Sequence, residues 1–444
     1  MERNTDYDVI IVGGRVAGST LAAYLGKAGI RVLLLERATF PEPHPASSPM
    51  IQPITMSMLD EIGADENQYA RNTARIRRMM AVDTDYELTL DIPEINGRDY
   101  AYAIDRARFD HTLWDNAVRF ETVDGWMGFS VTNLMWDNIG KTVIGVEGKA
   151  KGEREKRYIT SRVVVGADGR FSMVARKVGA AEHDKRDEHP TTLYYTYWKN
   201  VAPHDDGAPT TVATGAPDGA YGYLLMDSAD DTTCVCIEGR SDIVQSTDGT
   251  SIEDFYMDML QRNTYVWKRL QNAQPIDKVR GMRKVGNMFR EPAGLGWALV
   301  GDAYHQKDPI DGQGIYDSVF SSRTLAQALI DWHTGERTWD DAIAWYDTTA
   351  QQEMMPQYQQ TLTRVQQQMY PTSTLPIPKP LLNTTVRWLS KDRVYMQMAG
   401  MALNRQIDPR EAATPRFIAL AVLRGGLREL SERLDPPPRG QHIS

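Results

Sequence analysis

The sequence has very little cysteine, no long apolar run and no excess of basic residues. Two cysteines, Cys234 and Cys236, cannot build a disulfide framework, and their alternation with Val235 predicts a buried strand rather than a redox pair. No apolar run approaches the roughly 20 residues that span a bilayer, so we expect no membrane partner. The net charge of −9 disfavours nucleic acid as a partner, because neutralising its phosphates needs a basic surface.

The length of 444 residues, with 41% hydrophobic and 25% charged residues, is typical of a globular protein with two or three domains. Residues 1–6 run straight into a predicted strand and contain no signal-peptide core. We therefore expect a cytoplasmic protein, and the sequence predicts no metal site.

The beginning of the chain predicts a strand, a tight turn, a helix and a second strand. Residues 8–12 are a short β-branched apolar run, and Gly13 and Gly14 permit a sharp turn after it. Gly18 lets the helix pack closely on the strand. Glu36 ends the second strand, where a carboxylate can accept hydrogen bonds from an adenosine ribose while the helix N-terminus holds a pyrophosphate. The pattern predicts a dinucleotide site; the alternative is an ordinary βαβ unit with a tight turn.

Two features beside this turn leave alternatives open. Arg15 stands where the fingerprint G-x-G-x-x-G has its middle glycine. Its side chain either blocks the approach of the backbone to the pyrophosphate or points outward and offers a guanidinium to a phosphate or a flavin. Residues 37–49 contain four prolines, which exclude a helix. This loop either reaches the cofactor or is a rigid connector.

Two later apolar runs also end in an aspartate, and each predicts a strand followed by a helix. Asp168 follows the first run and Asp302 follows the second. Beyond Asp302, Gly312 and Gly314 free the backbone to approach a ligand. The helix that begins there places partial positive charge at its N-terminus, which stabilises an electron-rich ring edge.

The three acidic strand ends, in this order, resemble the group A flavoprotein monooxygenases of the para-hydroxybenzoate hydroxylase-like fold. Flavin-dependent halogenases and geranylgeranyl reductases are relatives of that family. The resemblance covers about residues 6–345 and implies an α/β fold: a doubly wound, Rossmann-like FAD-binding domain of glutathione-reductase type, an inserted β-sheet substrate domain and a helical C-terminal region. The expected boundaries are 1–75, 100–185 and 278–345 for the FAD-binding domain, 76–99 and 186–277 for the substrate domain, 346–435 for the helical region and 436–444 for a tail.

The same resemblance implies how FAD is bound. The glycines of the first turn and Glu36 would hold the ADP half, and Arg106 would lie over the pyrophosphate or ribityl chain, with Arg108 as the competing candidate. Asp168 would serve FAD and NAD(P)H, and Asp302 would bind the ribityl chain. The full predicted set of cofactor-binding residues is Gly13, Gly14, Arg15, Ala17, Gly18, Glu36, Arg37, Arg106, Asp168, Gly169, Asp302, Pro309, Gly312, Gln313, Gly314 and Ile315.

The activity implied by the resemblance is hydroxylation of a small aromatic or polyketide-like substrate through a flavin C4a-hydroperoxide, with NADPH or NADH as the reductant. His305, His44 and Tyr304 are candidates for a proton relay; the alternative for each is a loop residue hydrogen-bonded to the backbone.

Three alternative functions remain. They are an FAD-dependent reductase or dehydrogenase, a two-component flavin oxygenase or halogenase-like enzyme, and a non-catalytic flavin-binding protein. The chain lacks the G-W-x-W-x-I-P motif of flavin-dependent halogenases, and Tyr316 stands where the family usually has asparagine. Arg176 lies one residue later than the arginine usual in the family's Asp-Gly motif, which weakens the prediction that this motif binds NAD(P)H. Both a monomer and a homodimer are compatible with the sequence.

Overall fold

Two large β-sheets and a C-terminal group of helices form this protein. Its computed structural model describes residues 5–43, 49–83, 86–216, 219–246, 249–371 and 379–434. The strands are β1 (Tyr7–Val12), β2 (Val32–Glu36), β3 (Met50–Ile51), β4 (Arg78–Val82), β5 (Glu87–Asp91), β6 (Tyr102–Ala103), β7 (Val123–Met127), β8 (Phe129–Trp136), β9 (Val143–Ala150), β10 (Arg157–Gly166), β11 (Glu182–Lys199), β12 (Thr210–Gly215), β13 (Tyr221–Asp227), β14 (Thr232–Arg240), β15 (Gln274–Pro275), β16 (Arg280–Arg290), β17 (Ala293–Gly294), β18 (Trp297–Leu299) and β19 (His305–Gln306).

The helices lie around the first sheet, against the second sheet and after both sheets. They are α1 (Val16–Lys27), α2 (Pro53–Glu61), α3 (Glu66–Tyr69), α4 (Arg106–Val118), α5 (Met173–Val178), α6 (Ile252–Gln261), α7 (Thr264–Leu270), α8 (Gly314–Thr334), α9 (Trp339–Met369), α10 (Lys379–Lys391), α11 (Arg393–Leu403), α12 (Pro409–Ala412) and α13 (Pro415–Leu434). Two 3₁₀ turns, Gly301–Ala303 and Pro309–Asp311, lie between β18 and α8.

The first sheet has the order β17-β18-β10-β1-β2-β7, with β9 attached to β10 and β8 to β9. Strands β18, β10, β1, β2 and β7 run parallel. Ile10 of β1 lies opposite Val164 of β10 and Leu33 of β2, and all three side chains are fully buried. A parallel sheet buried on both faces needs apolar residues at successive positions, which explains the continuous apolar run at the start of the chain.

The second sheet has the order β19-β16-β11-β14-β13-β12-β4-β5, with β15 beside β11. Its pairs are antiparallel except for β12 and β4. Strands β4 and β5 come from an early part of the chain and the others from a later part, so this sheet is inserted between strands of the first. Cys234 and Cys236 lie in β14 as free thiols. The predicted α/β fold, with a parallel sheet, an inserted second sheet and a helical C-terminal region, is confirmed; the predicted domain boundaries stay a prediction.

The C-terminal helices α9 to α13 follow the two sheets. Helix α13 packs on α10 so closely that a Cβ on Gly425 would lie 1.7 Å from the Trp388 carbonyl oxygen. None of the helices within the described ranges has both the length and the hydrophobicity needed to cross a membrane.

The turn between β1 and α1 depends on glycine. Gly13 adopts a φ of +107°, and a Cβ there would lie 2.4 Å from the Ala167 carbonyl oxygen. A Cβ on Gly18 would lie 1.8 Å from the Gly13 carbonyl oxygen. The first turn of α1 therefore rests directly on the backbone of the tight turn, and no side chain fits between them.

We expect Gly18→Ala to destabilise the protein by about 1–3 kcal/mol, because the helix must move away from the turn to accept the methyl group. The melting temperature, followed by circular dichroism, tests this. Gly286→Ala is the matched control, since its Cβ would make only an ordinary 3.7 Å contact with the Met288 side chain. Equal melting temperatures for the two variants would contradict the packing described here.

Candidate functional site

A single cavity of about 2280 Å³ extends from the β1–α1 turn to the second sheet. Pockets for one small ligand usually occupy about 300–1,000 Å³, so this space exceeds what one small molecule fills. Twelve of the sixteen predicted cofactor residues line it: Gly13, Arg15, Ala17, Glu36, Arg37, Arg106, Asp168, Gly169, Asp302, Pro309, Gly314 and Ile315. The other four are not among the lining residues: Gly14, Gly18, Gly312 and Gln313.

Glu36 is fixed at the first end of this cavity by two backbone groups. One carboxylate oxygen accepts a hydrogen bond from the Gly14 N–H and the other from the Ala38 N–H, both at 2.8 Å. A carboxylate offers about four lone-pair positions, so acceptor capacity remains toward the cavity. This geometry fits recognition of ribose hydroxyls by a carboxylate at the end of the second strand.

Arg15, which replaces a glycine of the fingerprint, turns toward α4. Its guanidinium donates to the fully buried Asp110 carboxylate at 2.6 Å and lies 5.4 Å from the centre of the Phe40 ring. The same carboxylate accepts from Arg106 at 2.8 Å. Asp110 thus joins two arginines at the wall of the cavity and holds the Arg15 side chain to one side of the turn.

The structure separates the two candidate arginines at the start of α4. Arg106 lines the cavity and is 8% exposed. Arg108 donates to the Asp230 carboxylate at 2.6 Å and to the carbonyl oxygen of Arg71, and it is not among the residues that line the cavity. Arg106 is therefore the one placed to meet a ligand.

The carboxylate of Asp168 fixes the start of a helix. It accepts from the Ser172 hydroxyl at 2.5 Å and from the backbone N–H groups of Met173 and Val174 at 2.6 and 3.1 Å. These are the first residues of α5 and the residue that caps it. By holding the first turn of α5, Asp168 fixes the position of the cavity wall at this point.

Asp302 is tied to the loop before α8 through an arginine that sequence reasoning missed. The Arg170 guanidinium lies 3.2 Å from the Asp302 carboxylate and donates to the Lys307 carbonyl oxygen at 2.7 Å. Arg170 lies two residues after Asp168 in the sequence, so its position next to an acidic strand end was the available signal.

The loop formed by residues 307–314 is held from the far side by the segment after α11. Gln313 donates its amide to the Leu403 carbonyl oxygen at 2.9 Å, and Arg405, 4% exposed, donates to Asp317 at 2.9 Å. The Lys307 ammonium lies 2.8 Å from the other oxygen of Asp317. Burial alone would raise the pKa of Asp317, but Lys307 and Arg405 hold that pKa below its ordinary value. The two cations therefore keep this buried carboxylate ionised.

Helix α8 begins at the cavity and offers room for a ring system. Nothing lies within 4 Å of a Cβ placed on Gly314, its first residue, and Pro309 and Ile315 line the same region. The positive end of a helix dipole stabilises negative charge on a ligand. With Glu36 and Arg106 farther along the same space, these residues fit an extended cofactor that has an anionic diphosphate and an electron-rich ring.

The three predicted relay candidates fall in different places. His305 lines the cavity and stacks on Phe289 at 4.0 Å between ring centres; neither ring nitrogen has a hydrogen-bond partner among the described residues. Burial lowers the pKa of His305 to about 3, so the ring is neutral. Tyr304 donates its hydroxyl to Asp347 at 2.6 Å and does not line the cavity. His44 lies outside the described residues.

The second sheet gives the cavity a mostly apolar wall. Its contributors are Leu193, Tyr195, Ala213, Tyr221, Tyr223, Leu224, Met226, Cys234, Cys236 and Met282. Such a surface suits an apolar or aromatic compound, with the few polar groups fixing its orientation.

Glu238 of β14 is a polar group in that apolar wall that sequence reasoning missed. It lines the cavity beside Asp308 of the loop, and one of its carboxyl oxygens is buried without a hydrogen-bond partner in the described part of the chain. Burial and the neighbouring Asp308 raise the pKa of Glu238 well above its ordinary value. This shift favours the protonated carboxyl group, which can donate as well as accept a hydrogen bond.

Comparison with known proteins agrees with this geometry. The sequence profile of a family described as "FAD binding domain" matches residues 6–361. The chain is 24% identical over 359 residues to the 1H-pyrrole-2-carbonyl-[peptidyl-carrier protein] chlorinase of Pseudomonas fluorescens, across 73% of this chain and 76% of that protein. It is 28% identical over 335 residues to the geranylgeranyl diphosphate reductase of Rhodobacter capsulatus, across 73% and 75%. The solved structure of the flavin-dependent brominase Bmp2 is similar in fold, with a TM-score of 0.76 and 18% identity over 96% of this chain and 99% of that one.

The two arginines of α4 give a direct test of the cofactor end. We expect Arg106→Ala to weaken FAD binding by at least about tenfold, or 1.4 kcal/mol, because it removes a buried cationic group from the cavity wall. Arg108→Ala is the matched control and should change the affinity by less than about twofold, since Arg108 is not among the residues that line the cavity. Titration of the apoprotein with FAD measures both. An unchanged affinity for Arg106→Ala would contradict the assignment.

The raised pKa of Glu238 has a consequence for stability. The folded protein holds this proton more tightly than the unfolded chain, so the free energy of unfolding falls as pH rises above the ordinary carboxyl pKa toward the raised one. We expect Glu238→Gln, which cannot ionise, to raise the melting temperature more at about pH 8 than at about pH 5. The exposed Glu336→Gln is the control. An equal change at both pH values would show that Glu238 ionises normally.

Proposed function

Because this chain belongs to the FAD-binding family whose profile spans residues 6–361, we propose that it is a monooxygenase that hydroxylates a small aromatic or polyketide-like compound. NADPH or NADH would reduce the bound FAD, and O2 would be the oxidant. That the chain is an FAD-dependent oxidoreductase follows from the family and from relatives that include a squalene monooxygenase and a geranylgeranyl diphosphate reductase.

The observation that carries the proposal is the continuity of the cavity. One space connects the carboxylate of Glu36, the loop at Pro309 and the apolar wall formed by β11, β13 and β14. A cofactor that extends from the first turn to the start of α8 would therefore present its ring to a second molecule lying on the second sheet. Two separate pockets would keep the cofactor ring and the second molecule apart, so that no group could pass between them.

The residues of this chain would divide the work of binding FAD. Glu36 would accept from the ribose, Arg106 would face the diphosphate and Asp302 the ribityl chain, while the start of α8 would lie at the edge of the ring. When bound, FAD would supply the electron transfer and the activation of oxygen, which protein side chains cannot perform. The protein contributes position, exclusion of water and stabilisation of charge.

Two side chains are placed to handle protons near the substrate. His305 is neutral, and its ring nitrogens have no partner in the described ranges, so the ring can accept a hydrogen bond from a phenol-like hydroxyl or donate one to it. Glu238 can donate a hydrogen bond to a carbonyl or hydroxyl oxygen of the substrate. Both lie on the side of the cavity formed by the second sheet and the loop.

Anaerobic mixing of the FAD-loaded protein with NADH, and separately with NADPH, tests the proposal. We expect one of them to bleach the flavin absorbance rapidly, and admission of O2 with an aromatic substrate to give a product that carries one added oxygen atom. Dithionite provides the control, since it reduces flavin without a nicotinamide site.

Bleaching by dithionite but by neither nicotinamide would overturn the single-component monooxygenase. The chlorinase and brominase similarities would then favour an enzyme supplied with reduced flavin from outside. Addition of a flavin reductase together with halide would identify that case through a halogenated product. Reduction of a substrate double bond without consumption of O2 would instead identify a reductase.

A further inference from the structure

Helix α13 carries five exposed leucines in one row, which we call the leucine stripe: Leu420, Leu423, Leu427, Leu430 and Leu434. Their exposed fractions run from 44% to 78%. Large apolar side chains scattered singly on a surface are normal, but a continuous row of them marks an interaction site. We propose that the leucine stripe is the contact through which two copies of this chain form a homodimer.

The stripe lies on the side of α13 away from the rest of the protein. The buried residues of this helix are Ala421, Gly425 and Glu429, and Gly425 rests on the backbone of α10 at Trp388. With 3.6 residues per turn, the row of buried residues and the row of leucines fall on opposite faces. The contact with α10 therefore leaves the leucines uncovered.

The spacing of the leucines matches a paired helix. The steps along the stripe are three, four, three and four residues, which places leucine at successive a and d positions of a heptad repeat. In a pair of identical helices, the leucines of each copy pack into the spaces between the leucines of the other. The stripe is therefore self-complementary, as a two-fold contact between identical chains requires.

Two observations favour a second copy over other occupants. Residues 435–444 of the sequence contain only one large apolar side chain, Ile443, so this segment has too little apolar surface to cover five leucines. Three of the four arginines of α13 are also neutralised within the chain. Arg424 pairs with Asp392 at 2.6 Å and Arg428 with Glu432 at 3.2 Å, and Arg433 pairs with Glu429. An anionic membrane surface is held by unpaired cations, which these are not.

Sedimentation equilibrium of the FAD-loaded protein at micromolar concentration tests the proposal. We expect a dimer for the wild type, and for Leu423→Lys/Leu427→Lys a dissociation constant raised by about tenfold or more. Ile139→Lys is the matched control, because Ile139 is 73% exposed in the turn between β8 and β9, far from the stripe in the fold. FAD content and melting temperature should be the same in all three proteins.

Cross-linking supplies an independent readout that does not depend on a disruptive substitution. Leu427→Cys occupies the centre of the stripe and should form a disulfide-linked dimer on mild oxidation, whereas the wild type, whose Cys234 and Cys236 lie within β14, should not. A monomeric wild type overturns the proposal, as does a dimer unaffected by the two lysines. Binding of monomeric protein to phosphatidylglycerol vesicles would overturn it in favour of a lipid surface.

Discussion

The buried carboxylate of Asp317 is the interaction on which the geometry of the candidate site depends. It lies between Lys307, at the start of the loop before α8, and Arg405, which follows α11. Removing one partner of such a buried ion pair costs about 3–5 kcal/mol, because the remaining charge stays buried without compensation. Lys307 and Arg405 repel each other, so both depend on the Asp317 carboxylate, and this shared contact fixes the loop.

That loop determines the relation between the two sheets. Its backbone is bound by Arg170 on one side and by Asn287 on the other, through the Lys307 carbonyl and the Asp308 N–H. Arg170 also contacts Asp302 at the end of the first sheet, while Asn287 belongs to β16 of the second. Contacts with both sheets thus set the position of this part of the cavity wall. The distance across the cavity at the loop is therefore fixed by the fold.

The sequence predicted the parts of the site that are local in the chain. A strand, a turn and a helix within about 30 residues of each other leave a pattern of apolar runs, glycines and a terminal acid, and Glu36, Asp168 and Asp302 were found through it. The structure places all three at the cavity. Their roles toward a cofactor stay predictions, since the placement alone does not test binding.

The parts that depend on contacts between distant segments were not predictable. The sequence left open whether Arg15 blocks the pyrophosphate or offers its guanidinium to a ligand, because its partner, Asp110, lies 95 residues away. Arg405 likewise lies 92 residues beyond Gln313, to which it donates. Glu238 is one polar residue in a strand, and a strand pattern does not say which sheet face meets a cavity. Tyr304 is a relay candidate in the sequence, yet its hydroxyl donates to Asp347 of α9, a contact between segments 43 residues apart.

The position of Arg405 also bears on how this protein can be rebuilt. The family match ends at residue 361, but the guanidinium that neutralises Asp317 comes from beyond it. The C-terminal helices therefore cannot be exchanged freely. A chimaera that joins this FAD-binding domain to the C-terminal helices of a relative would replace Arg405, the partner of Asp317 beside the loop of residues 307–314. A substitution in the C-terminal region that removes this arginine would require a compensating substitution near the loop, and the reverse also holds.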